Sequence, residues 1–177
     1  NVTSDTANVL VTTNNGKITA GTANADVTLK AATTTEVKND TGDIELHGLT
    51  TSQTGTTVQV AKSGNITVSG KLETADLDAS GTDTGDVTVQ TDNGNITLTS
   101  TTDNNPAIDS SKAAIVHAYA TDAEGATSGE GSVTINGDVT AATTANIGAK
   151  TGDVKLTGVA TSATGTTLET LTNGDRS

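Results

Sequence analysis

The chain has 177 residues, of which 40 are Thr and 19 are Gly, and it contains no Cys, Met, Trp or Phe. Without cysteine it has neither a disulfide scaffold nor a cysteine-based metal site, and no apolar run reaches the roughly 18 residues that a transmembrane helix needs. Nine basic and 21 acidic residues give a net charge of −12. Because such a surface repels nucleic acids and anionic membranes, we expect neither as a partner.

A short unit marked by glycine recurs along the chain. In each copy, Gly is followed by Asp, Asn or Ser and then by two aliphatic residues that flank a polar one. The clear copies begin at Gly42, Gly64, Gly85, Gly94, Gly131 and Gly152, and weaker copies begin at Gly16, Gly137 and Gly174. Steps of 21 or 22 residues separate most of the clear copies, whereas Gly94 falls only nine residues after Gly85. We therefore predict one coil every 21–22 residues, with Gly94 marking a second strand within a coil.

A longer duplication includes several of these units. Residues 41–65 and 151–175 are identical at 12 of 25 aligned positions, among them the opening Thr-Gly-Asp and an internal Thr-Gly-Thr-Thr. The offset of 110 residues equals five periods of 22. Duplication of whole coils would leave this relation, which predicts that the two segments lie five coils apart.

The aliphatic residues of each unit alternate with polar ones, as in Ile44–Leu46, Ile66–Val68 and Val133–Ile135. Alternation with a period of two places one side chain inside and the next outside, which is typical of a strand. Threonine favours strands and occupies many outward positions. The Thr-rich tracts 33–35 and 54–57 could carry O-glycans, but we predict that they form ladders along stacked coils. The Ala-rich stretch 110–123 is the best helix candidate, but Ile115–Tyr119 also alternates, and we predict a strand there.

Short strands at this spacing fit either a β-sandwich or a parallel β-solenoid. The hairpins of a sandwich would show turn signals about every 8–12 residues, and the chain lacks the large aromatic residues that fill such a core. A solenoid needs only a narrow stack of aliphatic side chains, with similar residues at equivalent positions. We therefore predict an all-β parallel β-solenoid of roughly eight coils. Residues 1–177 form one segment in this prediction, with an irregular longer coil or loop at about 101–130.

Three stretches resemble the repeats of filamentous-haemagglutinin-type proteins: residues 63–80, 85–100 and 131–158. That family includes two-partner-secretion exoproteins and autotransporter adhesin passengers. The likeness covers about residues 15–100 and 130–175, and it is one of composition and period, without a catalytic motif. It implies a right-handed β-helix, secretion across an outer membrane, and an adhesive or matrix role. The segment 101–130, which holds the one Pro and the one Tyr, departs from the pattern.

Few residues suggest site chemistry. His47 and His117 lie 70 residues apart without any cysteine, and we expect ordinary surface or half-buried side chains. Asp83, Asp86 and Asp92 fall within ten residues, and with turn carbonyls they could supply several of the roughly six to eight oxygens that Ca²⁺ prefers. Neither an EF-hand nor a glycine-rich nonapeptide pattern accompanies them, so turn residues are the favoured interpretation and calcium is the alternative. We predict no other cofactor.

Four Asn-X-Ser/Thr sequences begin at Asn1, Asn39, Asn65 and Asn95. In a secreted chain they are candidate glycosylation sites, although the pattern also arises by chance in a chain so rich in Thr and Asn. Asn65 and Asn95 each follow a glycine of the repeat, so they would double as turn residues.

Together these features predict an extracellular or cell-surface protein with a mechanical role, a stiff stalk or fibre rather than an enzyme. Its partners would be neighbouring coils, copies of itself end to end, and glycans or proteins on host or neighbouring cells. Neither end of the sequence shows a polar cap, so the alternative is a filament subunit that stacks head to tail. The weaker alternative is a carbohydrate-active β-helix enzyme, although one Arg and one Tyr are few for sugar subsites.

Overall fold

The computed structural model describes residues 1–75, 85–101 and 106–172, and its strands in these ranges stack in parallel, coil upon coil. The predicted all-β parallel β-solenoid is therefore confirmed. An 11-stranded sheet A and a seven-stranded sheet B wind around one core. The part of the chain that the structure describes has no helix able to span a membrane.

Sheet A is bent, so that each complete coil has three faces. Face 1 contains β3 (Ile18–Ala20), the first parts of β6 (Ile44–Ser52) and β8 (Ile66–Thr74), β10 (Ile96–Thr99), β15 (Val133–Asn136) and β18 (Val154–Thr157). Face 2 contains β1 (Val2–Ser4), β4 (Val27–Ala31), the second parts of β6 and β8, β11 (Ile108–Ser110), β16 (Val139–Ala141) and β19 (Ala160–Ser162). Face 3 is sheet B and contains β2 (Val9–Asn15), β5 (Thr34–Thr41), β7 (Gly55–Ser63), β9 (Asp86–Thr91), β12 (Ala114–Ala118), β17 (Thr144–Ala149) and β20 (Gly165–Thr170).

The described strands form seven coils. Coil 1 contains β1 and β2, coil 2 β3 to β5, coil 3 β6 and β7, coil 4 β8 and β9, coil 5 β10 to β12, coil 6 β15 to β17, and coil 7 β18 to β20. On face 1, paired residues of coils 2 to 7 lie 26, 22, 30, 37 and 21 residues apart. The predicted spacing thus holds for two of the five steps, and the described ranges contain seven coils rather than about eight. Because two steps are much longer, the duplicated segments lie four coils apart instead of five.

A short antiparallel hairpin stands between coils 5 and 6, within the segment for which we predicted an irregular coil or loop. Its strands are β13 (Ala120–Thr121) and β14 (Thr127–Ser128). The Asp122 side chain accepts hydrogen bonds from the amides of Glu124 and Ala126 and so closes the turn. The hairpin contributes to the 37-residue step between these coils.

The core consists of aliphatic columns that run through successive coils. On face 1 one column contains Ile18, Ile44, Ile66, Ile96, Val133 and Val154, all at most 8% exposed. On face 3 a matching column contains Val37, Val58, Val89, Val116 and Ile147, all fully buried. Burial of each such side chain stabilises the fold by roughly 1.5–3 kcal/mol. Alternation within each strand therefore builds a continuous core without any aromatic residue.

The corner between face 3 and face 1 stacks the repeat glycines. A Cβ on Gly94 would lie 2.1 Å from the carbonyl oxygen of Gly64, and one on Gly131 would lie 1.8 Å from that of Gly94. Only glycine permits such a close approach of successive backbones. Gly94 therefore belongs to the main stack, and our assignment of it to a second strand within a coil was wrong. Gly85 is the residue out of phase, since it lies beside Gly55 at the start of face 3.

Candidate functional site

The structure does not bring the described calcium candidates together. Asp86 and Asp92 lie at opposite ends of β9, about 20 Å apart at the usual rise of a strand. Asp86 accepts a hydrogen bond from the Ala113 amide (3.1 Å) and pairs with Lys112 at 3.7 Å, whereas burial raises the pKa of Asp92. Asp83 lies outside the described residues. Within the described ranges, no group of three or more His, Asp or Glu side chains could hold a metal ion.

The two histidines lie on different faces and do not form one site. His47, on face 1, is only 8% exposed, which is more buried than we expected, and its Nε2 lies 2.9 Å from Glu45 Oε1. His117, on face 3, is half-buried, and its ring stacks on that of Tyr119 with the centroids 4.5 Å apart. Burial lowers the pKa of His117 and outweighs the opposing effects of neighbouring polar groups. His117 is therefore neutral near neutral pH.

The first two glycosylation candidates differ in accessibility. Asn1 is exposed, and its side-chain oxygen accepts a hydrogen bond from the Thr28 amide (3.0 Å). Asn39 is 2% exposed, and its Nδ2 donates to the carbonyl oxygens of Gly16 (2.6 Å) and Gly42 (2.8 Å). A glycan on this nitrogen would replace one of its two hydrogens and would need space that the corner does not have. In the folded chain, Asn39 is a structural corner residue.

The other two candidates belong to a ladder of side chains along the glycine corner, which we call the Asx ladder. The Asn65 amide donates to Asp43 Oδ1 (2.8 Å) and the Asn95 amide to Asn65 Oδ1 (2.9 Å). The Ser132 amide donates to Asn95 Oδ1 (2.9 Å), and the Asp153 amide to Ser132 Oγ (3.1 Å). Each rung satisfies a backbone donor of the following coil, so Asn65 and Asn95 act as turn residues whether or not they carry a glycan.

A threonine column runs beside the Asx ladder on the outward side of face 1. Its members are Glu45, Thr67, Thr97 and Thr134, which are paired in register in successive coils. Between the column and the ladder lies a shallow groove of about 410 Å³ that spans coils 2 to 5. At one end of the groove, Lys17 pairs with Glu45 and holds the pKa of the Glu45 carboxyl below its ordinary value. His47 lowers that pKa further, by a smaller amount. The groove therefore presents hydroxyls, amides and a neutralised ion pair.

A second groove, of about 480 Å³, lies at the bend between faces 1 and 2. Gly48 and Gly70 form its floor, and a Cβ on Gly70 would lie 1.9 Å from the Gly48 carbonyl oxygen. Lys71 in its wall contacts Glu73 (2.5 Å) and Asp109 (2.9 Å). Burial acts to lower the pKa of Lys71, but these two carboxylates outweigh it and raise the pKa above its ordinary value. The cation is thus neutralised by its neighbours and is not available as a lone anion-binding group.

A cluster of contacts on face 3 anchors the hairpin. Tyr119 is 5% exposed, its hydroxyl donates to Glu169 Oε1 of coil 7 (2.8 Å), and its carbonyl oxygen accepts from Gln90 Nε2 of coil 4 (3.2 Å). Lys150 of coil 6 donates to the carbonyl oxygen of Thr127 (2.5 Å). Burial, with Glu169 adding to it, raises the pKa of Tyr119. Contacts with three coils therefore hold the base of the hairpin.

Sequence reasoning missed this cluster. Its two signals were the single aromatic residue, Tyr119, and a glycine at an outward strand position, Gly148. A Cβ on Gly148 would lie 3.0 Å from both Tyr119 Cε1 and Glu169 Cγ. Gly148 is therefore needed for the tyrosine to lie flat on face 3, and a regular repeat gives no reason to expect it.

Comparisons of the chain with protein-family models, with curated proteins and with solved structures find no match.

Proposed function

We propose that the chain is a stiff, non-catalytic rod segment of an extracellular or cell-surface adhesin of the filamentous-haemagglutinin type. The observation that supports it most is the stack of seven coils in the described ranges, about 30 Å long at the usual distance between strands. Successive coils share backbone hydrogen bonds and core columns, and the Asx ladder also joins coils 3 to 7. Bending or shearing the rod would break all three kinds of interaction together, which makes it stiff.

The anchored hairpin supports a presenting role for this rod. It leaves the coils between Tyr119 and Gly129, and its exposed turn carries Asp122 and Glu124. Because three coils hold its base, a partner that bound the turn would pull on the rod as a whole. We propose glycans or proteins on host or neighbouring cells as such partners.

A filament subunit is the second candidate, favoured by the apolar side chains at the two ends of the stack. The large hydrophobic residues that are exposed in the described ranges are Val2 and Leu10 in coil 1, Val159 in coil 7 and Leu171 just after it. A further coil before coil 1 would cover Val2, which is in register with the buried Leu29 of the next coil. That coil belongs to the same polypeptide in the rod proposal and to a second copy in the filament proposal.

Sizing of the purified chain separates these two candidates. Analytical ultracentrifugation and electron microscopy of the wild type would be compared with V159K at the end of the stack. The matched control is T134K, which places the same charge on the outward side of a middle coil. Discrete monomers in all three samples support the rod. Fibres that V159K abolishes and T134K retains support the filament.

The adhesive part of the proposal needs its own test. Beads coated with the chain would be applied to glycan arrays and to cell layers, beside beads coated with a variant in which a short Gly-Ser turn replaces residues 121–127. We expect binding that the variant loses. Binding to no surface contradicts the adhesive role, and release of products from a polysaccharide contradicts the non-catalytic one.

A further inference from the structure

The sequence contains four Asn-Gly pairs, of which Asn173-Gly174 lies outside the described residues. The three pairs within the described ranges stand where a strand ends or a coil turns: Asn15-Gly16, Asn93-Gly94 and Asn136-Gly137. Asn-Gly is the dipeptide most open to spontaneous deamidation, because glycine has no side chain to hinder the reaction. The glycine nitrogen attacks the asparagine Cγ, a C–N bond forms, and Nδ2 leaves as ammonia with the proton that the glycine nitrogen lost. Water then opens the five-membered succinimide to aspartate or to isoaspartate.

We propose that Asn15, Asn93 and Asn136 are latent deamidation sites, which the stacked coils keep closed and which the opening of a coil exposes. In each of these three pairs, the glycine nitrogen that would attack is already a hydrogen-bond donor in the structure. The amides of Gly16, Gly94 and Gly137 donate to the carbonyl oxygens of Thr41 (3.1 Å), Glu130 (2.8 Å) and Thr157 (2.9 Å). The nitrogen must lose its proton to attack, so this hydrogen bond has to break first, as it must for amide hydrogen exchange.

The middle pair is held most firmly, because its two reacting groups are drawn to opposite sides. Asn93 Nδ2 donates to the carbonyl oxygen of Lys62 in coil 3 (2.9 Å), whereas the Gly94 amide donates to Glu130, just before coil 6. Attack would require the side chain to leave Lys62 and Cγ to swing over the glycine nitrogen. While the neighbouring coils are in place, the reaction must therefore break two hydrogen bonds, one to each side.

The three sites differ in how far neighbouring backbone covers them. Gly94 lies between the backbones of Gly64 and Gly131, and Gly137 lies between Gly158 on one side and Ser100 and Ala107 on the other. Gly16 is covered on one side only, because Gly42 packs against its carbonyl group whereas a Cβ on Gly16 itself would meet nothing within 4 Å. The three asparagine side chains are all exposed, so it is the packing around the glycines that distinguishes the sites. We therefore expect Asn15 to react first in the folded chain and the two inner sites to be protected.

Deamidation would also make the opening permanent. Isoaspartate carries the main chain through the former side chain and adds one carbon to the backbone between the strand and the corner. The strands before and after it could then no longer hold their register with the coils on both sides. Isoaspartate at Asn93 or Asn136 thus records a coil that has opened and prevents it from closing.

The test compares folded and unfolded chain in the same mildly alkaline buffer, without and with enough guanidinium chloride to abolish the β-sheet circular dichroism. Peptide mass spectrometry with isoaspartate labelling follows each pair over time. In denaturant we expect the three pairs to react at similar rates. In the folded chain Asn93 and Asn136 should react at least about tenfold more slowly than in denaturant, with Asn15 the fastest of the three.

Two outcomes would overturn the proposal: an inner site that reacts as fast in the folded chain as in denaturant, or Asn15 reacting more slowly than both inner sites. The variant N93Q checks the assignment, since glutamine keeps the amide but cannot form the five-membered ring. Its signal at residue 93 should disappear while the other two pairs react as before. The wild-type rates decide the proposal even if this variant does not fold.

Discussion

The glycine corner and the outer side of face 3 stabilise the same stack in different ways. At the corner, coils 4 to 7 each repeat one close backbone approach and one ladder bond, as Gly64 and Gly94 or Asn65 and Asn95 illustrate. On the outer side of face 3 the contacts of the hairpin base are not repeated from coil to coil, as the bond from the Tyr119 hydroxyl to Glu169 of coil 7 illustrates. The repeated contacts set the shape of the rod, whereas the unique contacts attach the β13–β14 hairpin to it.

The largest expected effect lies at the glycine corner. G94A should lower the free energy of unfolding by about 4 kcal/mol or more, because its Cβ would overlap the Gly64 carbonyl oxygen. Both Gly94 and Gly16 have positive φ, +150° and +103°, but a Cβ on Gly16 meets open space. G16A should therefore cost only about 1 kcal/mol. Guanidinium denaturation followed by circular dichroism measures both, and equal losses would show that close approach is not what the corner requires.

A substitution in a core column should cause the next largest loss of stability. I96A removes a fully buried side chain between Ile66 and Val133 and should cost about 3 kcal/mol, since neighbouring coils are held too firmly to fill the cavity. L10A, at a position 61% exposed, should change stability by less than about 0.5 kcal/mol. The same denaturation experiment applies. A loss of similar size in both variants would mean that the columns are not the core.

Breaking the unique contact on face 3 should cost less. Y119F keeps the ring but removes the hydrogen bond to Glu169, and we expect a loss of about 1.5 kcal/mol. Hydrogen exchange should increase in β13, β14 and β20, while β6 and β8 stay protected. Uniform loss of protection along the rod would contradict a local anchoring role.

The same contact predicts a pH dependence. Burial and Glu169 raise the pKa of Tyr119 in the folded chain. In the unfolded chain the tyrosine has a pKa of about 10, so it loses its proton at a lower pH than in the folded chain. The stabilising contribution is therefore complete below about pH 10 and is lost as the pH rises further. Between about pH 9 and 11, the wild type should lose more stability than Y119F. If the free energy of unfolding fell equally with pH in the two proteins, the prediction would be wrong.

A single rung of the Asx ladder should matter least among these variants. N95A removes the acceptor of the Ser132 amide and should cost about 0.5–1 kcal/mol, because water can partly replace it at an exposed corner. N14A, at an exposed residue of β2, should have almost no effect. Equal thermal melting of N95A and the wild type would show that the rungs are only a by-product of stacking.

Calcium removal should have no effect at all. Asp86 and Asp92 are separated by the length of β9, so they cannot share one ion. We expect the melting temperature to stay the same with chelator and with added Ca²⁺. A rise on adding calcium would revive the calcium hypothesis and direct attention to Asp83.

The repeat predicted the fold because the fold is itself periodic. Alternating aliphatic residues and glycines about one coil apart carry the physics of stacking, so Ile44 and Ile66 were correctly placed on one column. The phase failed at Gly85 and Gly94, because two corners of the coil both favour glycine and the step from coil 4 to coil 5 is eight residues longer than the one before it. Spacing alone cannot tell one glycine corner from another.

The candidate sites were harder to predict because closeness in sequence means little in an extended strand. Asp86 and Asp92 are six residues apart in the sequence, but the extended strand β9 separates them in the structure. Tyr119 and Glu169 are 50 residues apart and touch. Such a contact depends on how many coils intervene, and on the absence of a side chain at Gly148. The repeat length in the sequence reveals neither the number of intervening coils nor the need for glycine at position 148.

The Asx ladder has a direction. In each of its four bonds, the backbone donor belongs to the later coil and the side-chain acceptor to the earlier one. The backbone bonds at the same corner run the other way, because the amides of Gly64 and Gly94 donate to the carbonyl oxygens of Asn93 and Glu130, which come later in the chain. A completed coil therefore presents both side-chain acceptors and backbone donors at this corner, and the coil that is synthesised next can satisfy both kinds of group as it folds onto it.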